Sequence, residues 1–202
     1  MKKIAVFDVC FTIYNCNTTI EFFKFIKNKY FIRYYLFIFF NKICIFFKLY
    51  SFFDKNRFII LFWLNKSVLE LELSEYYKKV LNNKINNNIF EKINYYKQNN
   101  YEIYLISASM ELVISKIAKE LWIINYYWTK LIEKDWFFSW FISNDLLNKN
   151  SKEKILLNII NNIDIDLKSS IAFSDSIDDL RQWKVIENRF LVYKNNITKY
   201  DE

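Results

Sequence analysis

The 202-residue sequence contains no glycine, no proline and no histidine. Average usage would place roughly fourteen glycines and ten prolines in a chain of this length, so their absence is not a chance fluctuation. Without histidine, the chain has neither a histidine base nor a histidine metal ligand. Turns that need a positive φ angle must be made by other residues, with asparagine the best suited. Candidate turns of this kind are the asparagines at 82–83, 86–88, 99–100 and 195–196.

Cysteine is scarce, with only Cys10, Cys16 and Cys44. An odd number without Cys-x-x-Cys spacing argues against a disulfide framework and against a zinc site. A reducing cytoplasm is therefore the expected location. We also expect no signal peptide, because the apolar run that follows Lys3 has only four residues and stops at Asp8.

Basic and aromatic side chains are concentrated in residues 20–66. This segment carries nine basic and two acidic residues, so its net charge of +7 equals that of the whole chain. Three interpretations stay open. A transmembrane helix needs about 20 apolar residues, whereas the best run, Tyr34–Phe40, has seven. The alternatives are a helical insertion with its own core and a surface that contacts anionic lipid, as a peripheral membrane protein does, or a phosphorylated ligand. No nucleic-acid-binding motif is present.

The rest of the chain alternates apolar strands with amphipathic helices. Alternation after residue 90 predicts a parallel sheet, and hence an α/β fold. Asn17, Ser67 and Ser74 are candidate helix N-caps. The predicted strands are 4–7, 101–106, 170–173 and 189–193, with a small hairpin formed by 137–138 and 141–142, and the predicted helices are 110–122, 151–161 and 177–186, with a further helical stripe that ends near 99–100.

The first strand, Ile4–Phe7, ends on the carboxylate of Asp8. In an open α/β sheet, ligands bind at the carboxyl ends of the strands, where a carboxylate can hold a cation or act as a nucleophile. Three later stretches complete the same predicted site: Tyr104–Ser109, Asn150–Leu156 and Ile171–Leu180. They supply a serine after a strand, a lysine that opens a helix and an acidic turn.

Taken in order, these four stretches resemble the motifs of the haloacid dehalogenase superfamily, in its phosphoserine-phosphatase-like branch. The family's Asp-x-Asp-Gly-Thr motif matches residues 8–12. The resemblance implies a Rossmann-like core with a parallel sheet, made of residues 1–14 and 91–202. It also implies that residues 15–90 form an inserted helical cap that covers the site and selects the substrate.

The same resemblance implies Mg²⁺-dependent hydrolysis of a small phosphorylated substrate through an aspartyl-phosphate on Asp8. Asp8, Asp175 and the carbonyl of Cys10 would hold Mg²⁺, and Asp179, with Asp178 as a second candidate, would complete the coordination shell directly or through water. The residues implied to bind the phosphate are Thr12, Ser107, Ala108 and Lys152. The implied catalytic set is Asp8, Cys10, Ser107 and Lys152.

Taken singly, each of these residues also fits a structural role. Lys152 fits a solvated helix position, Asp175 an N-cap and Ser107 a turn at the end of a strand. The pair Asp178-Asp179 fits a favourable acidic first turn of a helix. It is the combination with Asp8 that favours a site.

Two departures from the family pattern predict slow or absent turnover. Cys10 stands where the family has an aspartic acid that serves as general acid and base, a function that contributes about 10²- to 10⁴-fold. A thiol with a pKa near 8.5 is a poor substitute. Phe11 replaces the motif's glycine and is expected to crowd the phosphate. The alternative is therefore a catalytically inactive or redesigned scaffold that binds a phospho-ligand or an anionic membrane surface.

Tryptophan stands where the family often has glycine. Four of the six tryptophans lie in the stretches 121–123, 127–129 and 135–140. We hypothesise an altered or redesigned sequence from which glycine, proline and histidine were excluded. The alternative is a divergent natural protein with a strongly biased composition.

Overall fold

The computed structural model describes residues 1–49, 58–62, 64–144, 146 and 150–201. Within these residues, seven strands form one sheet in the order β4-β3-β2-β1-β5-β6-β7. The strands are β1 (Lys3–Phe7), β2 (Tyr101–Met110), β3 (Asn125–Lys134), β4 (Phe137–Asn144), β5 (Ile171–Ser174), β6 (Asn188–Tyr193) and β7 (Asn196–Lys199).

Strand β1 lies at the centre of the sheet and pairs in parallel with β2 on one side and β5 on the other. Its residues Ile4–Phe7 are fully buried, as expected of a strand covered on both faces. Strands β3 and β6 extend the parallel arrangement, and β4 and β7 close the two edges antiparallel. The predicted α/β fold with a mostly parallel sheet is confirmed.

Helices cover both faces of the sheet. The α-helices are α1 (Thr18–Ile26), α2 (Phe31–Phe46), α3 (Lys66–Lys79), α4 (Asn87–Gln98), α5 (Glu111–Glu120), α6 (Ser151–Asn162) and α7 (Ile177–Gln182), with short 3₁₀ turns at Ile59–Leu61 and Leu81–Lys84. Across the described ranges, no helix is both long and apolar enough to cross a membrane. Helices α1 to α3 follow β1, where the helical insertion is expected.

The two faces of β1 bury side chains in separate cores. Ala5 and Phe7 join a large cluster with side chains from α1 to α5, and the Phe7 ring stacks on Phe173 at a centroid distance of 4.9 Å. Ile4 and Val6 join a second cluster beneath α6 and α7. Because the helices of residues 18–79 share the first cluster with the sheet, they are packed on the core. The division into a core (1–14 and 91–202) and a cap (15–90) stays a prediction.

Asn17 caps α1 as predicted, because its side chain accepts a hydrogen bond from Ile20 N at 3.0 Å. The predictions for α3 are wrong. Asn65, not Ser67, caps this helix. Ser74 lies inside it, where its hydroxyl donates to the carbonyl of Glu70.

Further boundaries differ from the sequence predictions, and β2 continues to Met110, beyond its predicted end at residue 106. The pairs 137–138 and 141–142 lie in one strand, β4, whose partner is β3. The helix predicted over 177–186 ends at Gln182, and the strand at 189–193 is followed by another, β7. The hairpins β3–β4 and β6–β7 turn at Asp135-Trp136 and Lys194-Asn195, which carry no glycine to mark them.

Eight described residues have positive φ angles: Phe11, Lys48, Asn100, Trp122, Asp135, Trp136, Asn150 and Lys194. Of the asparagine clusters expected to carry such angles, only 99–100 does so. Phe11, Trp122 and Trp136 do so at sites where the resemblance placed glycine. Bulky side chains therefore occupy backbone conformations that glycine adopts at the lowest cost.

Candidate active site

A cavity of about 1070 Å³ opens at the carboxyl ends of β1, β2 and β5. These strands are adjacent in the sheet, so Asp8 after β1, Ser107 and Ala108 in the last part of β2, and Asp175 after β5 meet at one edge. The predicted site residues that line the cavity are Asp8, Cys10, Ser107, Ala108, Lys152, Asp175, Asp178 and Asp179. The structure thus brings together eight of the nine residues that the sequence indicated.

Thr12 is the ninth, and it does not line the cavity. Its side chain is fully buried, and its hydroxyl accepts a hydrogen bond from Asp175 N at 2.9 Å. Thr12 therefore fixes the acidic turn after β5 against the turn after β1. Its predicted contact with phosphate stays a prediction.

Lys152 is the centre of the site's charge network. Its ammonium group is buried and donates to Asp8 Oδ1 at 2.9 Å and to Asp179 Oδ2 at 2.5 Å. Ser174 supplies a further hydroxyl contact to Asp179 Oδ2 at 3.0 Å. Lys152 lies in the first turn of α6, after Asn150, which has a left-handed backbone and turns the chain into the helix. It is therefore not the solvated helix residue of the structural interpretation.

Burial dominates the electrostatics of Asp8. It raises the pKa of this carboxyl from 3.8 to about 7, against the attraction of Lys152 and with the repulsion of Asp179 and Asp175. Burial and the charge of Asp179 also raise the pKa of Asp175. Burial alone would lower the pKa of Lys152, but the charges of Asp8 and Asp179 outweigh it and raise this pKa. Two carboxyl groups, those of Asp8 and Asp179, thus contact one buried cation, whose charge also acts on Asp175.

The carboxyl groups of Asp8, Asp175 and Asp179 fit a Mg²⁺ ion that takes only some of its ligands from the protein. Across the described part of the chain, no group of three or more Asp, Glu or Cys side chains is arranged to hold a metal ion by itself. Mg²⁺ is usually bound by one or two carboxylates and completes its six ligands with water and phosphate oxygens. Asp8 and Asp175 line one cavity and repel each other, which a divalent cation between them would relieve.

Cys10 is held in a network of hydroxyl groups that the sequence analysis missed. Its Sγ lies 3.1 Å from Ser109 Oγ and 3.4 Å from Thr18 Oγ1, and those two oxygens lie 3.0 Å apart. Burial, with the charge of Asp8, raises the pKa of the Cys10 thiol above its ordinary value, so the thiol is neutral at pH 7. The only signal for Ser109 was its place in the Ser-Ala-Ser stretch, where a register shift between Ile106 and Met110 interrupts the pairing of β2 with β3.

In the acidic turn after β5, Asp179 contacts the buried Lys152, whereas Asp178 is exposed to solvent. Ser176, not Asp175, caps α7, by accepting a hydrogen bond from Asp179 N at 3.5 Å. Asp178 is exposed and pairs with Arg181 at 3.6 Å, which is the role of an acidic first-turn residue. Asp179 points inward to Lys152.

The comparisons with known proteins agree on one family. The sequence model of haloacid dehalogenase-like hydrolases matches residues 5–182. None of the curated proteins compared with the chain matches it in sequence.

Solved structures share the fold at low identity. A phosphoserine phosphatase in its apo form superposes with a TM-score of 0.67 at 18% identity, over 94% of this chain and 85% of that one. A substrate-bound phosphoserine phosphatase gives 0.64 at 18%, over 94% and 85%. A protein of unknown function from Bordetella pertussis Tohama I gives 0.75 at 12%, over 94% and 89%.

Proposed function

We propose that the chain, which belongs to the haloacid dehalogenase-like hydrolase family, hydrolyses a small phosphomonoester in the cavity beside Asp8. The observation that carries the proposal is the buried contact of Lys152 with Asp8 and Asp179 at the carboxyl ends of the central strands. A lysine is kept in the low-dielectric interior only with strong partners, and here both partners line a cavity large enough for a ligand. The likeness to phosphoserine phosphatases supports phosphate-ester chemistry.

Asp8 is the proposed nucleophile. Its carboxylate attacks phosphorus, the bond between phosphorus and the ester oxygen breaks, and an aspartyl-phosphate forms while the leaving alkoxide takes a proton. Water then attacks the aspartyl-phosphate and releases phosphate and the free carboxylate. Lys152 favours the ionised form of Asp8 and offsets charge on the phosphoryl oxygens, and Ser107 and the backbone of Ala108 donate to those oxygens.

Asp8, Asp175 and the carbonyl of Cys10 are the residues that would hold Mg²⁺, with Asp179 in support. When bound, Mg²⁺ supplies positive charge that offsets the repulsion between phosphate and carboxylates. The leaving group's proton is the weak point of the site. The neutral thiol of Cys10, which lines the same cavity as Asp8, is the candidate acid, and its hydrogen bonds to Ser109 and Thr18 link it to further hydroxyls.

A second candidate follows from that thiol. A site that binds phosphate and cation but lacks an efficient acid would act as a phospho-ligand binder with little or no turnover. An aspartyl-phosphate that accumulates without steady release of phosphate would distinguish this binder from the phosphatase.

The test is hydrolysis of a generic aryl phosphate with and without Mg²⁺. We expect slow, Mg²⁺-dependent release of phosphate, and its loss in Asp8→Asn. Asp201→Asn is the matched control, because Asp201 is an exposed carboxylate away from the cavity. Undiminished turnover in Asp8→Asn would remove the nucleophile assignment.

A further inference from the structure

The cavity has two chemically different sides. The charged side chains among its described lining residues follow the strands of the central sheet: Asp8, Lys152, Glu153, Asp175, Asp178, Asp179, Arg181 and Lys184. A second wall comes from residues nearer the start of the chain, and its described members are Asn17, Thr19, Ile20, Phe23, Phe37 and Phe58. Not one of these six described side chains is charged.

That wall is a packed aromatic surface. The ring of Phe23 meets those of Phe37 and Phe58 edge to face, with centroids 5.7 and 6.4 Å apart. All three rings are almost completely buried, so their positions are fixed by packing. At the mouth, Ile20 and Phe11 expose 38% and 48% of their surfaces and extend the apolar lining toward Asp8.

A phosphate ester held beside Asp8 and Lys152 would have this wall within reach of its alcohol portion, because both line one cavity. An ammonium or carboxylate placed there would lose hydration without gaining a charged partner among the described residues of that wall. A methylene group gains about fourfold in affinity when it is buried. The cavity volume of about 1070 Å³ is also at the upper end of pockets that enclose drug-sized molecules.

We propose that the substrate is a phosphomonoester of an apolar alcohol, with an alkyl chain or aryl group in contact with Ile20 and Phe11, the exposed apolar side chains of the lining. This rests on the proposed phosphatase function, because it assigns the leaving group of that reaction. The apolar wall selects for hydrocarbon and against a charged amino-acid leaving group.

The test is phosphate release from butyl phosphate, octyl phosphate and O-phospho-L-serine, for the chain and for Cys10→Asp. We expect kcat/KM for octyl phosphate to exceed that for butyl phosphate by at least about 10-fold, with O-phospho-L-serine lowest. Equal rates for the two alkyl esters, or a preference for O-phospho-L-serine, would overturn the proposal.

Binding of octyl- and butylphosphonate, which cannot be hydrolysed at the C–P bond, separates this proposal from the proposed function. Tighter binding of octylphosphonate without hydrolysis of any ester would support the apolar pocket and contradict the phosphatase. Hydrolysis of the esters without preference for the longer chain would support the phosphatase and contradict the apolar pocket.

Ile20→Gln places an amide on the wall at an exposed position of α1, where folding should be preserved. It should lower kcat/KM for octyl phosphate several-fold more than for butyl phosphate. Leu71→Gln is the control, since Leu71 is an exposed leucine of α3 that does not line the cavity. The same loss of chain-length preference in Leu71→Gln would argue against a specific wall.

Helix α2 carries a second, independent observation. One side of it packs on the core through Phe37 and Cys44. The opposite side exposes a stripe of apolar residues at helical spacing: Ile32, Tyr35, Leu36, Phe39, Ile43 and Phe46. A helix that is apolar on both sides normally has a partner on both.

The charged residues of the segment that carries this stripe are of one sign, although Glu72 of α3 pairs with Lys29. Residues 27–49 contain five lysines and arginines and no acidic residue. Lys27, Lys42 and Lys48 are exposed at its ends and flank. An apolar stripe bordered by lysines complements an anionic lipid surface, to which each basic residue contributes. A second copy of the chain would instead bring two positive borders together.

We propose that the exposed stripe of α2 docks on an anionic membrane surface. Sedimentation with vesicles of phosphatidylcholine containing about 30% phosphatidylserine should carry the chain into the pellet at low salt, and pure phosphatidylcholine should carry much less. Phe39→Glu should reduce binding by at least about 10-fold, and Leu71→Glu should not. No pelleting with the anionic vesicles would overturn the proposal. A dimer in gel filtration that Phe39→Glu dissolves, without vesicle binding, would assign the stripe to a second copy.

Discussion

The ammonium group of Lys152 donates to Asp8 Oδ1 at 2.9 Å, although 144 positions separate the two residues in the sequence. Both are buried, so neither charge has bulk water as a substitute partner. The contact joins the turn after β1 to the first turn of α6. It is the structural basis of the first two predictions, because it links the stability of the core to the ionisation of the site.

Replacement of Lys152 by methionine should abolish phosphatase activity and destabilise the metal-free protein. Removal of one partner from a buried ionic group typically costs about 3–5 kcal/mol, because the remaining charges are left uncompensated. Here Asp8 and Asp179 both lose their cation. Urea denaturation measures the loss, and Mg²⁺ should restore part of it. Lys154→Met is the control on the exposed side of the same helix, and equal destabilisation by both variants would contradict the assignment.

The stability of the metal-free protein should depend on the ionisation of Asp8. Because the pKa of this carboxyl is raised from 3.8 to about 7, the folded state binds the proton more tightly than the unfolded state does. The stabilisation that this bound proton gives to the folded state is complete below pH 4 and is lost as the pH rises through about 7. Asp8→Asn removes the titrating group and with it this pH dependence. Between pH 4 and 8 the unfolding free energy of the original chain should therefore fall relative to that of Asp8→Asn, by an amount on the order of a few kcal/mol. Parallel pH profiles would show that Asp8 is already ionised at low pH.

Substitution of Cys10 by aspartic acid should increase turnover by about 10²- to 10⁴-fold, the usual contribution of a general acid and base. The carboxyl would stand beside Ser109 and Thr18, which now contact the sulfur. Steady-state hydrolysis of an aryl phosphate measures the gain. Cys10→Ala is the control for the thiol itself. A Cys10→Asp variant no faster than Cys10→Ala would mean that the turn at Phe11, not the missing acid, limits the reaction.

The parts of the site that the sequence predicted are those with short-range signals. Ile4–Phe7 followed by Asp8 predicts a buried strand with a carboxylate at its end, and strand order in an α/β sheet then brings Ser107 and Asp175 beside it. Lys152 was indicated by the resemblance of residues 150–156 to a family motif in which a lysine opens a helix. Its simultaneous contact with two carboxylates depends on α6 packing over β1 and β5, which no local pattern encodes.

Contacts between residues of different elements were missed for the same reason. Ser109 and Thr18 meet Cys10 only because β2 and α1 are adjacent in the fold. Ser74 has the side chain of an N-cap, yet α3 already begins at Lys66 with Asn65 as its cap, so Ser74 lies in the interior of the helix. Strand β7 was not predicted from the sequence because its turn, Lys194-Asn195, lacks the glycine that usually marks a hairpin.

Glycine substitution at two tryptophans should stabilise the protein. Trp122 and Trp136 have φ angles of 53° and 67°, and their side chains are 89% and 69% exposed, so they add little packing to offset the cost of a left-handed backbone. That conformation costs roughly 1–2 kcal/mol in a residue other than glycine. The higher backbone entropy of glycine in the unfolded chain offsets part of the gain. Trp122→Gly and Trp136→Gly should each raise the unfolding free energy by about 1 kcal/mol in urea denaturation.

Tyr193→Gly is the control, because Tyr193 is a similarly exposed aromatic residue in β6 whose φ angle is not positive. This variant should be less stable than the original chain. Destabilisation by both tryptophan substitutions would show that these rings make contacts that outweigh the cost of the backbone.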